Sequence, residues 1–253
     1  MAGRMKQRLL ARSIVLHRKL ENNLQGLMRW WLLVITLACA ARILASPLPR
    51  LETLSYVPYA LLIAAPLASL WLGLRWFAEG ERMPQPSFRL LPTGRWRSLT
   101  LAEARSHPLF GTSGIMVSLL VGMLLNVPVR AAEYLVIMPA IPRDVPGWLS
   151  TLHLAMTLDV VILSSLYVIA FAMALRRAPC FPRFLLLVWM IDVLAQVLIA
   201  RMVGASLPSG VASALHSLLD GNIKKVAISM AIWLPYLILS RRVNVTFRRR
   251  EPA

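Results

Sequence analysis

The chain has 253 residues, of which 58% are hydrophobic and only 15% charged, against about 25% charged in an ordinary soluble domain. Its formal net charge of +17 would suit nucleic acid only if the cations shared one face of a soluble fold. They alternate instead with long apolar runs, which excludes a nucleic-acid partner and points to a membrane protein whose basic loops meet anionic lipid headgroups.

The first 26 residues place Leu9, Leu16, Leu20 and Leu24 near helical spacing, with Arg8, Arg12, Arg18 and Lys19 between them. This is the pattern of a basic amphipathic helix lying on the inner leaflet. The apolar run that follows reads as a retained anchor, because "LASPLP" puts proline where cleavage needs a small residue.

A hydrocarbon core about 30 Å thick takes about 20 apolar residues of helix. Six such segments are predicted: Leu27 to Ala45, Tyr56 to Phe77, Leu109 to Val129, Trp148 to Leu175, Phe181 to Val203 and Ile223 to Ser240. The third meets Pro128, where it either continues or breaks and resumes through "AAEYLVIMPA". The expected fold is an all-α polytopic transmembrane bundle. It divides into the arm (1–26), a first hairpin (27–77), a basic connection (78–108), a four-helix membrane domain (109–240) and a basic tail (241–253).

Within the connection, "TLAE" sets Thr100 three residues before Glu103, a capping box for a short helix. Cys39 and Cys180 stand without a CxxC or a Cys/His cluster, so neither a disulfide framework nor a metal site is expected, and no cofactor is implied. Orientation follows from the basic residues. Of the 28 lysines and arginines, 21 fall in the arm, the 78–108 connection with its flanks, the Arg176–Arg183 turn and the tail, all on one side of the alternating spans. Both termini are therefore expected in the cytoplasm.

Three stretches, "RRAPCFPRFLLLVWMIDV", "NIKKVAISMAIWLPYLILS" and "RRVNVTF", resemble an uncharacterised bacterial inner-membrane family, domain of unknown function 2569. The matching residues are the FPR turn and Ile232, Trp233, Pro235, Tyr236, Ser240, Arg241, Arg242, Val243, Thr246 and Phe247. The resemblance covers roughly residues 109–248. It implies a bacterial inner-membrane location and no activity.

Asp159 and Asp192 are the residues least like anchors. Each lies about 11 residues, or about 16 Å, inside its segment, so the two share a depth near mid-bilayer although their helices run in opposite directions. A charged Asp there costs about 2.5–3.5 kcal/mol, so they should face the bundle interior, with Gln196 four residues beyond Asp192 extending the polar stripe. No lysine or arginine is expected at that depth to pair with them. The functional reading is a proton-coupled or polar binding point; the structural one is an interhelical hydrogen-bonded clamp.

Gly114, Ser118, Gly122 and Asn126 recur at four-residue steps, the spacing of a close helix-packing face. Arg130, Arg201, Lys224 and Lys225, with Arg42, are expected to snorkel outward to anionic headgroups, with Glu133 and Asp220 answering some of that charge locally. "GTSG" at Gly111 to Gly114 matches a rhomboid-like serine protease stretch, but Ser113 falls at the opposite end of the membrane from His153 and His216, and His107 lies in a loop. Pro235 removes a backbone donor within the last span. The expected function is a noncatalytic accessory, assembly or scaffold subunit that binds another membrane protein or its own copies. The alternative is a small proton-coupled carrier using Asp159 and Asp192.

Overall fold

The computed structural model describes residues 13–16, 18–46, 53–87, 95–142, 145–204 and 208–253. Leu9, Arg8 and Arg12 of the expected amphipathic helix lie outside the described residues. The part of the arm that is described, 13–16 and 18–22, is helical, with Ile14, Val15 and Leu16 exposed beside Arg18 and Lys19.

The elements in chain order are α1 (Leu24–Leu44), α2 (Val57–Trp76), β1 (Trp96–Ser98), α3 (Leu101–Ser106), α4 (Ile115–Ile137), α5 (Gly147–Leu175), α6 (Phe181–Gly204), α7 (Ser209–Leu239), α8 (Arg241–Arg248) and β2 (Arg250–Pro252). Six of them, α1, α2, α4, α5, α6 and α7, are long and apolar enough to cross a membrane. The all-α reading holds, with a two-stranded antiparallel sheet of β1 and β2 as its small addition.

Two boundaries differ most from the sequence reading. Helix α4 runs through Pro128 to Ile137, because losing one backbone donor does not end a helix whose next turns keep burying Ala131, Tyr134 and Leu135. Helix α7 starts at Ser209 rather than near Ile223. Leu215, Leu219, Asn222 and Val226 are buried along it at spacings of three and four, so the segment has a helical face to pack before it becomes continuously apolar.

Helix α5 is the centre of the bundle. It is apolar on nearly every side and packs against α2, α4 and α6, while α7 packs on α6 and α1 lies against α2 and α4. Its 29 residues and the 31 of α7 make rods of about 44 and 46 Å, longer than the about 30 Å hydrocarbon core, so they tilt or reach the headgroup layer.

The buried side chains form two large clusters. One gathers Leu120, Tyr167, Phe171, Phe181, Leu185, Trp189, Leu237 and Phe247 toward the end where the chain terminates. The other gathers Cys39, Tyr59, Leu62, Tyr134, Leu152 and Met156 toward the opposite end.

The closing segment is not a free basic tail. Helix α8 buries Val243, Asn244, Val245, Thr246 and Phe247, and Phe247 meets Phe181 of the FPR turn at 5.1 Å between ring centroids. Arg248 donates to the carbonyls of Leu237 (3.0 Å) and Ile238 (3.1 Å), satisfying acceptors that the end of α7 leaves open. Thr246 and Arg242 hold the loop before α4: the Gly111 N–H donates to Thr246 Oγ1 at 3.0 Å, and Arg242 donates to Ser113 Oγ at 2.8 Å. The capping box forms as read, with the Glu103 N–H donating to Thr100 Oγ1 (3.3 Å) and the Thr100 N–H to Glu103 Oε2 (2.7 Å).

The first three positions of the small-residue stripe, Gly114, Ser118 and Gly122, do not form a close contact between α4 and another helix. Gly114 precedes α4 with φ +74°, a left-handed backbone that suits glycine and removes it from the helical face. Ser118 and Gly122 are exposed, and a Cβ on Gly122 would meet nothing within 4 Å. The close approach is elsewhere: a Cβ on the buried Gly73 of α2 would lie 2.9 Å from the Ala172 Cβ of α5. Gly73→Leu is therefore expected to lower stability by about 1–3 kcal/mol through overpacking, whereas Gly122→Leu leaves the fold intact. Thermal unfolding of the two variants in detergent checks this, and a larger loss for Gly122→Leu would reverse the assignment of the packing face.

Candidate functional site

Between the two apolar clusters, α4, α5 and α6 each contribute a charged side chain to one point. Arg130 of α4 donates to Asp159 of α5, Nη1 to Oδ2, at 3.1 Å, and its Nη2 donates to both carboxylate oxygens of Asp192 of α6. The side chains of Arg130 and Asp159 are each 7% exposed and Asp192 is fully buried.

This corrects the reading of Arg130 as an outward headgroup anchor, and with it the expectation that no cation reaches the depth of the two aspartates. The reason lies in helix geometry. Because α4 continues for seven residues past Arg130, the residue is not at a helix end. A helical Cα–Cβ bond also tilts toward the N-terminus, which for α4 directs the side chain back along the helix toward Asp159 and Asp192.

A chain of hydrogen bonds extends the cluster to α7. Gln196 Nε2 donates to Asp159 Oδ1 (2.8 Å), Asn222 Nδ2 donates to Gln196 Oε1 (3.2 Å), and Lys225 donates to Asn222 Oδ1 (3.3 Å) and to Glu133 of α4. On the other side the Tyr167 hydroxyl donates to Asp192 Oδ2 at 2.8 Å. Its ring lies 5.9 Å from the Arg130 guanidinium, and Asn126 hydrogen-bonds the same hydroxyl. Arg130 Nε is buried without a partner.

Formal charge within the set is uneven. Two carboxylates face one guanidinium, while the Glu133–Lys225 pair is neutral. Breaking a buried pair by removing one partner typically costs about 3–5 kcal/mol, so the arrangement is self-consistent only when kept whole.

The cluster borders a groove of about 230 Å³ between α4 and α7. Gly122, Asn126 and Glu133 line one wall, Lys225 and Ser229 the other, and Trp189 stands with them. Ser118 continues the exposed face one turn toward the start of α4. The expected stripe thus borders an opening rather than a contact.

The remaining sequence candidates lie apart. Arg201 and Lys224 are exposed, as the headgroup reading requires, and Lys225 is half exposed but engaged with Glu133. Arg42 donates to the Met138 carbonyl at 3.0 Å. Ser113 is held by Arg242, whereas His153 faces the Tyr134 hydroxyl at 3.3 Å inside the opposite cluster. Sequence reasoning missed Arg130, Tyr167 and Asn222 as members of the polar set. One signal was available: Tyr167 follows Asp159 by eight residues, and Gln196 follows Asp192 by four, spacings that share a helix face.

No family model, no curated protein and no solved structure matches this chain.

Arg130→Gln is expected to destabilise the bundle by about 3–5 kcal/mol, since it leaves two buried carboxylates without their cation. Adding Asp192→Asn should recover part of that loss. Thermal unfolding of the single and double variants measures the coupling, and additive losses would show that the groups do not act as one unit.

Proposed function

We propose that this chain is a noncatalytic accessory or assembly subunit of a membrane complex, and that it seats a transmembrane helix of its partner in the groove between α4 and α7. The observation that carries the reading is the open groove itself. Ser118 and Gly122 are exposed, and a Cβ on Gly122 would meet nothing within 4 Å, beside Asn126, Glu133 and Lys225. Small residues on an unoccupied face of a membrane helix permit close approach of a second backbone, and the polar groups beside them can accept or donate further hydrogen bonds to it. A partner helix supplies both; it belongs to another membrane protein or to a second copy of this chain.

The membrane is the bacterial inner membrane, with both termini cytoplasmic. The 21 to 7 division of basic residues supports the orientation, and the resemblance to the domain of unknown function 2569 family supports the location. Lipid headgroups at the outer end meet Arg201 and Lys224.

A second reading is favoured by one specific observation. Two carboxylates share one guanidinium beside the groove, so charge balances when one carboxyl carries a proton, as a proton-coupled carrier requires. On that reading Asp159 and Asp192 are the coupling pair.

A photo-crosslinking side chain at Ser118 in native membranes is expected to give an adduct of defined mass with a partner protein, and Gly122→Leu to abolish it while the fold survives. Crosslinks to lipid alone, unchanged by Gly122→Leu, would defeat the accessory reading. Solute-dependent proton uptake by vesicles holding the wild-type chain, lost in Asp159→Asn and Asp192→Asn variants that fold normally, would establish the carrier in its place.

A further inference from the structure

A second cavity, of about 370 Å³, lies at the end of the bundle where the chain terminates. Four guanidinium groups line it, those of Arg183, Arg248, Arg249 and Arg250, together with Trp96 and Ser98, and no carboxylate is among the described residues that do. The four come from separated elements: Arg183 from the first turn of α6, Arg248 from the end of α8, Arg249 from the left-handed residue that follows it, and Arg250 from β2.

The local sequence dictates the convergence. Arg249 has φ 45° and ψ 51°, and this left-handed step ends α8 and turns the chain into β2. Residues of a strand alternate between faces. Glu251 accordingly pairs with Arg97 at 2.7 Å and faces His107 at 3.7 Å, while Arg250 turns toward the cavity with its guanidinium 4.2 Å from the Trp96 ring.

Three of these guanidiniums, those of Arg248, Arg249 and Arg250, donate to neutral acceptors. Arg250 is 7% exposed and donates from Nε to Asn244 Oδ1 at 2.9 Å. Arg248 donates to Asn244 Oδ1 (2.9 Å) and to the carbonyls of Leu237 and Ile238, and its Nε is buried without a partner. Arg249 donates to the carbonyls of Glu81 and Met83. The Glu81 carboxylate, close enough to favour the charge on Arg249, is already engaged by Arg105 and Arg177. Burial, then the neighbouring charges of Arg250 and Arg183, pushes Arg248 down to about 10. The hydrogen bonds of Arg248 and Arg249 to carbonyls and to the Asn244 amide thus fix the position of their positive charge without opposing it. Such a preorganised set is complementary to an anion of more than one charge, and guanidinium forks match phosphate oxygens in pairs.

We propose that this cavity binds a phosphate group, held by Arg183, Arg248, Arg249 and Arg250, with the Ser98 hydroxyl as a further donor. The group is either the headgroup phosphate of an anionic phospholipid or that of a water-soluble phosphate compound, since both present the same oxygens to the same forks. The site is independent of the groove and of the Arg130 cluster.

The test uses the full chain and its Arg183→Gln and Arg249→Gln variants, which keep Arg248 at the end of α7 and Arg250 against Trp96. One arm titrates inorganic phosphate into protein in neutral detergent, against chloride at matched ionic strength. The other reconstitutes the protein in phosphatidylcholine with and without phosphatidylglycerol, free of phosphate. Thermal unfolding is read in both. The wild-type midpoint is expected to rise in at least one arm: a rise with phosphate identifies a soluble ligand, and a rise confined to phosphatidylglycerol identifies the headgroup. Each variant should bind about tenfold more weakly, the loss of one charge-assisted contact. Without ligand, Arg183→Gln should unfold at a temperature no lower than wild type, because removing one of several crowded cations relieves repulsion; Arg249→Gln also gives up its bonds to the Glu81 and Met83 carbonyls and is read by its loss of the ligand-dependent shift. A wild-type midpoint that moves in neither arm, or moves equally in both variants, overturns the site. So does a variant that binds either ligand as tightly as wild type.

Discussion

A guanidinium held between two carboxylates is the contact on which the bundle depends. None of Arg130, Asp159 and Asp192 could be buried alone, since an unpaired charge in a low-dielectric interior costs several kcal/mol. Together they fix what apolar packing in a membrane leaves loosely determined. Lipid is as apolar as leucine, so hydrophobic surface by itself does not dictate which side of a membrane helix faces inward. The contacts at Arg130 set the rotation and the vertical register of α4, α5 and α6 at once, because a one-residue slip turns a helix by about 100° and shifts it by about 1.5 Å.

Helix α7 joins by a different kind of bond. It packs on α6, and its link to the charged centre runs through the amides of Asn222 and Gln196 rather than through an ion pair. On the α4 side it is tied by Lys225 to Glu133. The groove between α4 and α7 follows from that arrangement. Close backbone approach is spent at Gly73 and Ala172, where α2 meets α5, which leaves the small residues of α4 bordering open space.

Arg130 and the arginines of the terminal cavity contrast in how their charge is answered. In the bundle, Arg130 meets carboxylates, and the local sum falls below zero. At the terminal end, Arg248 donates to the carbonyls of Leu237 and Ile238 and, with Arg250, to the Asn244 amide, neutral acceptors that fix geometry without opposing charge. The same side chain therefore acts as an internal counter-ion in one place and as a standing positive field in the other. The partners decide which, and they come from segments distant in the sequence.

The number and rough placement of the membrane helices were legible in the sequence, because an apolar run of about 20 residues has few alternatives to a helix across a bilayer. The capping box at Thr100 and Glu103 was legible too, since a cap is satisfied within four residues. The interior placement of Asp159, Asp192 and Gln196 followed from the cost of exposing them to hydrocarbon, but their cation did not. Arg130 resembles a snorkelling anchor when α4 is ended at Val129, and only the continuation of the helix through Pro128 carries it into the bundle. What the stripe at Gly114, Ser118, Gly122 and Asn126 faces was not legible for a related reason: spacing shows that residues share a helix face, yet it does not say what that face meets. The terminal arginines likewise read as part of a basic tail until the left-handed turn at Arg249 and the pairing of β2 with β1 folded them against α6. Periodicity and apolar length are local, so the chain alone determined them. The meeting of Arg130 with two aspartates, or of Arg183 with Arg250, depends on which helices lie side by side, and only the tertiary structure decides that.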